Sequence, residues 1–429
     1  MKILFIVPGS GDPFYCGNCF RDNLHANALR RAGHDVIVLP LYLPLTHQSF
    51  EGNTPLFFPA TTFYVAQKFF DKRHHMPRWL ERALNSPALL RLAASFSGST
   101  SANGMEGITL AMINGSGEAF HSQVLPLVEW VQKHEQPDVI HLSSTLVVGV
   151  AKAIKQRLNI PIVCSLQDEE LWVDTMPKPF ADAAWQGIAS GLKYVDRFVA
   201  SSHFYKNKAQ KKLPQIAEVD VIYPGIKVEQ YAANMEPQVP TIGFFYRMCE
   251  ANGLHILAQA FALLKSRNTV PGLRLKLGGG YTAVDKKYLR GVKKILAPHM
   301  SHVSWSDDYN LSQHADFYKD ISVVCVPITF DEGAGLYLCE AFAAGRPAVE
   351  PAAGSFPEIV DNAGLTYSPN SSDALADALA RLLTDAPLYA RSRARAFALS
   401  QTRYSSRVAA EQLGAMYGGM VGNRVQVAS

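Results

Sequence analysis

Short apolar runs separated by amphipathic stretches organise this chain from its first residues. Ile3 to Val7 predicts a strand, Asn23 to Ala32 a helix closed by Gly33, and Asp35 to Leu39 a second strand. Asp138 to Leu142, Pro161 to Leu166, Arg197 to Val199 and Val219 to Tyr223 read as further strands. Thr145 to Arg157 and Phe180 to Leu192 carry helical spacing. The runs do not alternate strictly between apolar and polar positions, which is the pattern of a parallel sheet covered on both faces. Strand and helix patterns that alternate in this way predict α/β units.

A second series starts after Asn234-Met-Glu-Pro-Gln-Val-Pro240, the best linker candidate. Thr241 to Phe245 is its first strand and His255 to Leu264 its first helix. Leu273 to Leu277, His302 to Trp305 and Val323 to Ile328 follow as strands. The tail from Pro387 is expected to be helical and to stay amphipathic to about Tyr417. The expected organisation is therefore a first domain over 1–236, joined by a helix at 400–420, and a second domain over 241–399. Residues 40–125 interrupt the first series with aromatic pairs (Phe57-Phe58, Phe63-Tyr64, Phe69-Phe70) and the basic Arg73-His74-His75. So long an insertion between two strands is costly unless it has a use. It is expected to fold over the carboxyl edge of the first sheet and to recognise an acceptor.

With 429 residues, 48% of them hydrophobic and 18% charged, the chain is globular and large enough for two cores. Its net charge of +4 lacks a long basic block. The densest basic run, Lys206 to Lys212, reads as a solvated helix face, so nucleic acid is not an expected partner. No stretch of 18 apolar residues is present, and the opening apolar run is too short for a signal peptide. Six cysteines in mostly apolar settings fit a reducing cytoplasm. Cys16 and Cys19 form the one close pair, but a zinc site would need two more soft ligands. Both are read as lining or underlying a loop.

The most informative stretch is Phe330-Asp-Glu-Gly-Ala-Gly-Leu-Tyr-Leu-Cys-Glu-Ala-Phe-Ala-Ala-Gly345-Arg-Pro. A turn with two glycines leads into a helix, so the amides of Gly333, Ala334, Gly335 and Leu336 can converge on a phosphate. Glu332 and Glu340 cannot bind that phosphate; carboxylates accept from hydroxyls, and a sugar and a ribose supply them. Together they suggest a sugar nucleotide. Arg247 follows the strand at 241–245, at the edge where doubly wound sheets take ligands, and a guanidinium there can hold a diphosphate. The first strand also runs into a glycine loop, with Gly11 and Gly17 allowing close backbone approach. It is not the dinucleotide fingerprint, and the second strand ends Val-Leu-Pro-Leu without the acid that would hold an NAD ribose.

Glu332-x7-Glu340 followed by Ala-Phe-Ala-Ala-Gly-Arg-Pro resembles the donor element of retaining glycosyltransferases of the family 4 type. The resemblance implies a GT-B fold, two facing Rossmann-like domains with parallel sheets and a cleft between them. It also implies a metal-independent transfer from a nucleoside-diphosphate sugar to a hydroxyl acceptor, with no cofactor. By the same resemblance Glu332 touches the transferred sugar, Glu340 holds the ribose, Arg247 clasps the diphosphate, and Gly279 lies in a loop near the nucleotide. Asp138-Val-Ile-His141 is similar to the family's strand ending in histidine, and His141 and Gln167 would finish the cleft wall. The chain departs from the pattern at two places. Asn252 stands where the family has a diphosphate-binding lysine, and Gln167 where it has a histidine. Arg21 or Lys276 could supply the missing charge. The acceptor implied is a carbohydrate, a lipid-linked molecule or a small molecule, and a lipid acceptor would bring peripheral contact with the inner membrane face. The alternative is a catalytically weakened protein of the same fold that binds sugar nucleotides or glycans.

Overall fold

The computed structural model describes residues 1–8, 17–41, 104–216, 218–231, 237–306 and 314–428. Gly11, Cys16, the aromatic pairs from Phe57 to Phe70 and Asn234 of the linker candidate lie outside the described residues. The chain forms two compact units. One is built from the first strand with Asn18–Ile222 and returns with Ala410–Ser429; the other is chiefly Tyr223–Ala409.

The first unit holds β1 (Lys2–Val7), α1 (Gly17–Arg31), β2 (Asp35–Pro40), α2 (Glu106–Asn114), α3 (Glu118–Trp130), β3 (Val139–Leu142) and α4 (Val148–Arg157). It continues through β4 (Ile162–Leu166), α5 (Glu170–Val173), α6 (Lys178–Gly191), β5 (Arg197–Ala200), α7 (His203–Lys212) and β6 (Val219–Val221). Its six strands are parallel in the order β2-β1-β3-β4-β5-β6. All four residues of β3 and all five of β4 are buried, as the continuous apolar runs predict for a sheet covered on both faces. Ser202, extended, caps α7 by accepting from the Tyr205 amide at 3.0 Å.

The second unit holds β7 (Thr241–Phe245), α8 (Leu254–Arg267), β8 (Arg274–Gly278), α9 (Lys286–Leu296), β9 (Val303–Trp305), α10 (His314–Lys319) and β10 (Val323–Val324). Then come α11 (Leu336–Ala343), β11 (Ala348–Pro351), α12 (Phe356–Val360), β12 (Gly364–Tyr367), α13 (Ser372–Thr384), α14 (Ala386–Thr402) and α15 (Ser406–Ala428), most of which belongs to the first unit. The sheet order is β12-β11-β10-β7-β8-β9, again parallel. Relabelled within the unit this is the 3-2-1-4-5-6 order of a dinucleotide-type sheet.

One expectation is corrected and two features are added. β10 stops at Val324 instead of reaching Ile328. Cys325 still pairs with the Gly243 carbonyl, but the Val326 amide turns to the Glu350 side chain and Pro327 has no N–H to give. β11 and β12 are short, and the Glu and Pro in β11 hid it from the pattern. The tail is two helices. Ile226 donates to the Tyr404 carbonyl at 2.8 Å and accepts from the Ser406 amide at 2.7 Å, which breaks the helix at 403–405. Among the described residues no helix is long and apolar enough to cross a membrane.

Candidate functional site

In the second sheet the strand order reverses between β7 and β10, and ligands of open α/β sheets bind at the carboxyl ends of strands flanking such a point. β7 delivers Tyr246 and Arg247 there; β10 delivers the segment to Glu332. The two loops are fastened together. The Thr329 amide and hydroxyl both donate to the Ala251 carbonyl, at 2.9 and 3.0 Å. Gly253, at φ +70°, packs so tightly that an added Cβ would sit 1.9 Å from the Pro327 carbonyl oxygen.

Glu332 is buried, and its Oε1 accepts from the amides of Ala334 at 3.1 Å and Gly335 at 3.2 Å. The Tyr246 hydroxyl approaches Oε2 at 3.5 Å. Two of the amides expected to meet a phosphate are thus already given to a carboxylate of the same loop. The side chain folds back over the amino end of α11, where negative charge is favoured. Burial nevertheless raises the Glu332 carboxyl above its ordinary range, with the amides of Gly335, Ala334 and Gly333 pulling it down. Gly354, at φ +59°, braces the loop from behind. A Cβ there would lie 2.7 Å from the Glu332 nitrogen, and the Ser355 amide donates to the Glu332 carbonyl at 2.9 Å.

Glu340 is not on a solvated helix face; it is completely buried. Its Oε1 meets the Tyr231 hydroxyl and His314 Nδ1, both at 2.7 Å, and Oε2 accepts from the Tyr318 hydroxyl at 3.4 Å. The carboxylate is the hub of a polar cluster linking α11 to α10 and to Tyr231.

Arg247 is buried, and one terminal nitrogen reaches Asp285 at 3.2 Å and the Thr282 hydroxyl at 3.3 Å. Asp285 also accepts from the Thr282 amide at 2.9 Å and hydroxyl at 2.7 Å, a capping box that fixes the counter-ion before α9. Asn252 donates from its side-chain nitrogen to the Arg247 carbonyl at 2.8 Å and is buried. It therefore braces the backbone that carries the arginine. Lys276 is engaged by α10 and the residue after it. Its ammonium binds the Phe317 carbonyl at 3.0 Å and Asp320 at 3.3 Å.

Gly279 follows β8 at φ +113°, and a Cβ would fall 2.2 Å from the Tyr246 carbonyl oxygen. The β7–β8 pairing continues past it, with Tyr246 donating to Gly278 and Met248 to Gly280. Close strand approach thus explains this glycine without a nucleotide. Gly279→Ala is expected to cost well over about 1 kcal/mol, because it adds both strain and a backbone clash. A urea unfolding midpoint equal to wild type would contradict this.

In the first sheet the reversal falls between β1 and β3. Gly17 opens α1. His141 lies inside β3, buried and stacked on Phe5 at 4.7 Å. Nδ1 pairs with the Tyr417 hydroxyl at 2.5 Å and Nε2 with the Ser165 hydroxyl at 2.8 Å. Burial, with the charges of His25 and Arg21, lowers its pKa well below the ordinary value, so the ring is neutral at pH 7. Both ring nitrogens thus have a protein partner. Gln167 accepts at Oε1 from Arg21 at 2.6 Å and donates to the Ser143 hydroxyl at 3.4 Å. Arg21 is itself buried and bound to Asp22 at 2.7 Å. A cation thus stands beside Gln167.

Sequence reasoning missed Asp285, Tyr231, His314, Glu350 and Gly354. Thr282-x-x-Asp285 was readable as a capping box. Tyr231 and His314 are more than twenty residues from Glu340, and only the fold brings them to it.

The comparisons agree with this architecture. A model described as Glycosyltransferase Family 4 matches residues 108–230, and one described as Glycosyl transferases group 1 matches residues 239–385. No curated protein matches the chain. Among solved structures, sucrose-phosphate synthase from Thermosynechococcus elongatus is 18% identical, with a TM-score of 0.67 over 100% of both chains. Anabaena HepE in complex with UDP and glucose is 17% identical, with a TM-score of 0.66 over 98% of this chain and 100% of that one. The catalytic domain of starch synthase IV from Arabidopsis thaliana, bound to ADP and acarbose, is 13% identical, with a TM-score of 0.65 over 98% and 99%.

Proposed function

We propose that this chain, which belongs to the GT-B glycosyltransferases of the group 1 and family 4 type, moves a sugar from a nucleoside-diphosphate sugar to a hydroxyl acceptor with retention and without a metal ion. The observation that carries this reading is the convergence, at the strand-order reversal of the second sheet, of a buried arginine and a buried glutamate. The guanidinium of Arg247 opposes the charge that develops on the leaving diphosphate, and its counter-ion Asp285 keeps it in place until then. Glu332, held by the amides of Ala334 and Gly335, accepts from the sugar hydroxyls. Glu340 organises the neighbouring ribose side through Tyr231 and His314. The bound UDP of HepE, and its complex with UDP-glucose, favour a sugar nucleotide as donor.

A second reading is a binding module of the same fold. It draws on Asn252, whose amide braces Arg247 but brings no positive charge where the family has lysine. Thermal melting with a panel of sugar nucleotides tests both. A ligand at 100 times its Kd stabilises by about 2.7 kcal/mol. Transfer is then followed by the anomeric configuration of the product formed in the presence of EDTA. Donor stabilisation without any transfer or donor hydrolysis would leave the binding module, and an inverted product would overturn retention.

A further inference from the structure

Glu350 is a residue that a central strand does not ordinarily accept. It is completely buried in β11, the strand next to β10 in the sheet, and its side chain performs a backbone task. The two carboxyl oxygens lie 3.2 and 3.3 Å from the Val326 amide. A strand partner would normally take that N–H. Because Glu350 takes it, β10 ends at Val324 and the segment beyond is free to turn and present Glu332.

The groups facing Glu350 are Tyr337 on α11, Cys325 at the end of β10, Tyr367 on β12 and Glu332 on the loop. No cation is among them. Glu332 and Glu350 are both buried, and the charge of Glu332 bears on Glu350, so a second negative charge is opposed there. Their surroundings differ. Glu332 receives two amides on one oxygen, an arrangement that favours the charged form, whereas Glu350 has the single Val326 amide and the Tyr337 side chain against a stronger burial.

We propose that Glu350 is a positioning residue that keeps a proton in the working protein, so that Glu332 carries the negative charge presented to the donor sugar. This rests on the role given to Glu332 above. In agreement, burial raises the Glu350 carboxyl well above its ordinary range, and the nearby charge of Glu332 raises it further. The sign for stability follows. Unfolded Glu350 releases its proton near the ordinary carboxyl pKa while the folded protein retains it. Stability is therefore full below that point and declines as pH rises toward the raised value, by up to about tenfold in the folding constant per pH unit.

The test compares wild type, Glu350→Gln and Glu350→Ala between pH 5 and 9. Urea unfolding reads the proton, and kcat and KM read the link to Glu332, with UDP-glucose or whichever nucleotide sugar raised the melting temperature as donor. Glutamine preserves the neutral shape and can still accept from Val326. It should keep neutral-pH kcat/KM within about threefold, flatten the decline of stability by one proton, and remove the alkaline fall in kcat/KM that is due to Glu350. Alanine should raise KM at least about tenfold. An unchanged stability slope in Glu350→Gln would show that no proton is held. A flattened slope with an unchanged kcat/KM profile would break the link to Glu332. If no sugar nucleotide is used by wild type, the donor reading fails, while the unfolding profiles still decide where the proton resides.

Discussion

Arg247→Ala is expected to lower turnover by at least about 100-fold, because the charge it opposes grows as the sugar–phosphate bond breaks. The structure adds a second effect that a surface arginine would not have. Arg247 is paired with Asp285 in a buried setting, so its removal strands a carboxylate and should also cost about 3–5 kcal/mol of stability. The two effects separate in the double variant Arg247→Ala, Asp285→Asn. With the stranded charge removed, most of the melting temperature should return while turnover stays low. Wild-type turnover in the double variant would take Arg247 out of the reaction.

Glu340→Ala is expected to be at least as damaging to the fold. It takes the shared acceptor from the Tyr231 hydroxyl and His314 Nδ1, while the Tyr318 hydroxyl keeps the Tyr337 carbonyl at 3.2 Å, and a buried group that loses its partner costs about 1–3 kcal/mol. Glu340→Gln is the informative partner. It keeps the volume and one acceptor oxygen but removes the charge. Its stability loss should be less than half that of alanine, while affinity for UDP, as the nucleotide probe, should fall about tenfold if the carboxylate organises the ribose side. Calorimetry that finds wild-type UDP affinity in a folded Glu340→Gln protein would leave Glu340 with a purely architectural task.

The difference between these expectations and those drawn from spacing alone shows what a sequence can carry. The parallel sheets were legible because β1, β3, β4 and β7 are apolar at nearly every position. The interval between Glu332 and Glu340 was legible because a turn and a helix fix where two residues eight apart can be. What a residue touches across the fold was not. Asn252 read as a missing charge, and that its amide also braces the Arg247 backbone was not legible. That His141 is held at both nitrogens by Tyr417 and Ser165 could not be read from spacing. Glu350 escaped notice because a glutamate between apolar residues and a proline breaks the strand pattern. The same glutamate takes the Val326 amide just beyond β10, ahead of the loop that carries Glu332.

The divided tail has a consequence for synthesis. Tyr417 lies on α15, in the part of the chain that returns to the amino-terminal unit, and it supplies the partner of His141 Nδ1 in β3. The second unit occupies the stretch between them. On the ribosome, where domains generally fold in order of emergence, the unit that emerges first is therefore the one completed last. Its sheet must wait with His141 lacking its Tyr417 partner while the whole of Tyr223–Ala409 is made. A nascent chain arrested at residue 400 would have every strand of both sheets and still lack the helix that finishes the first.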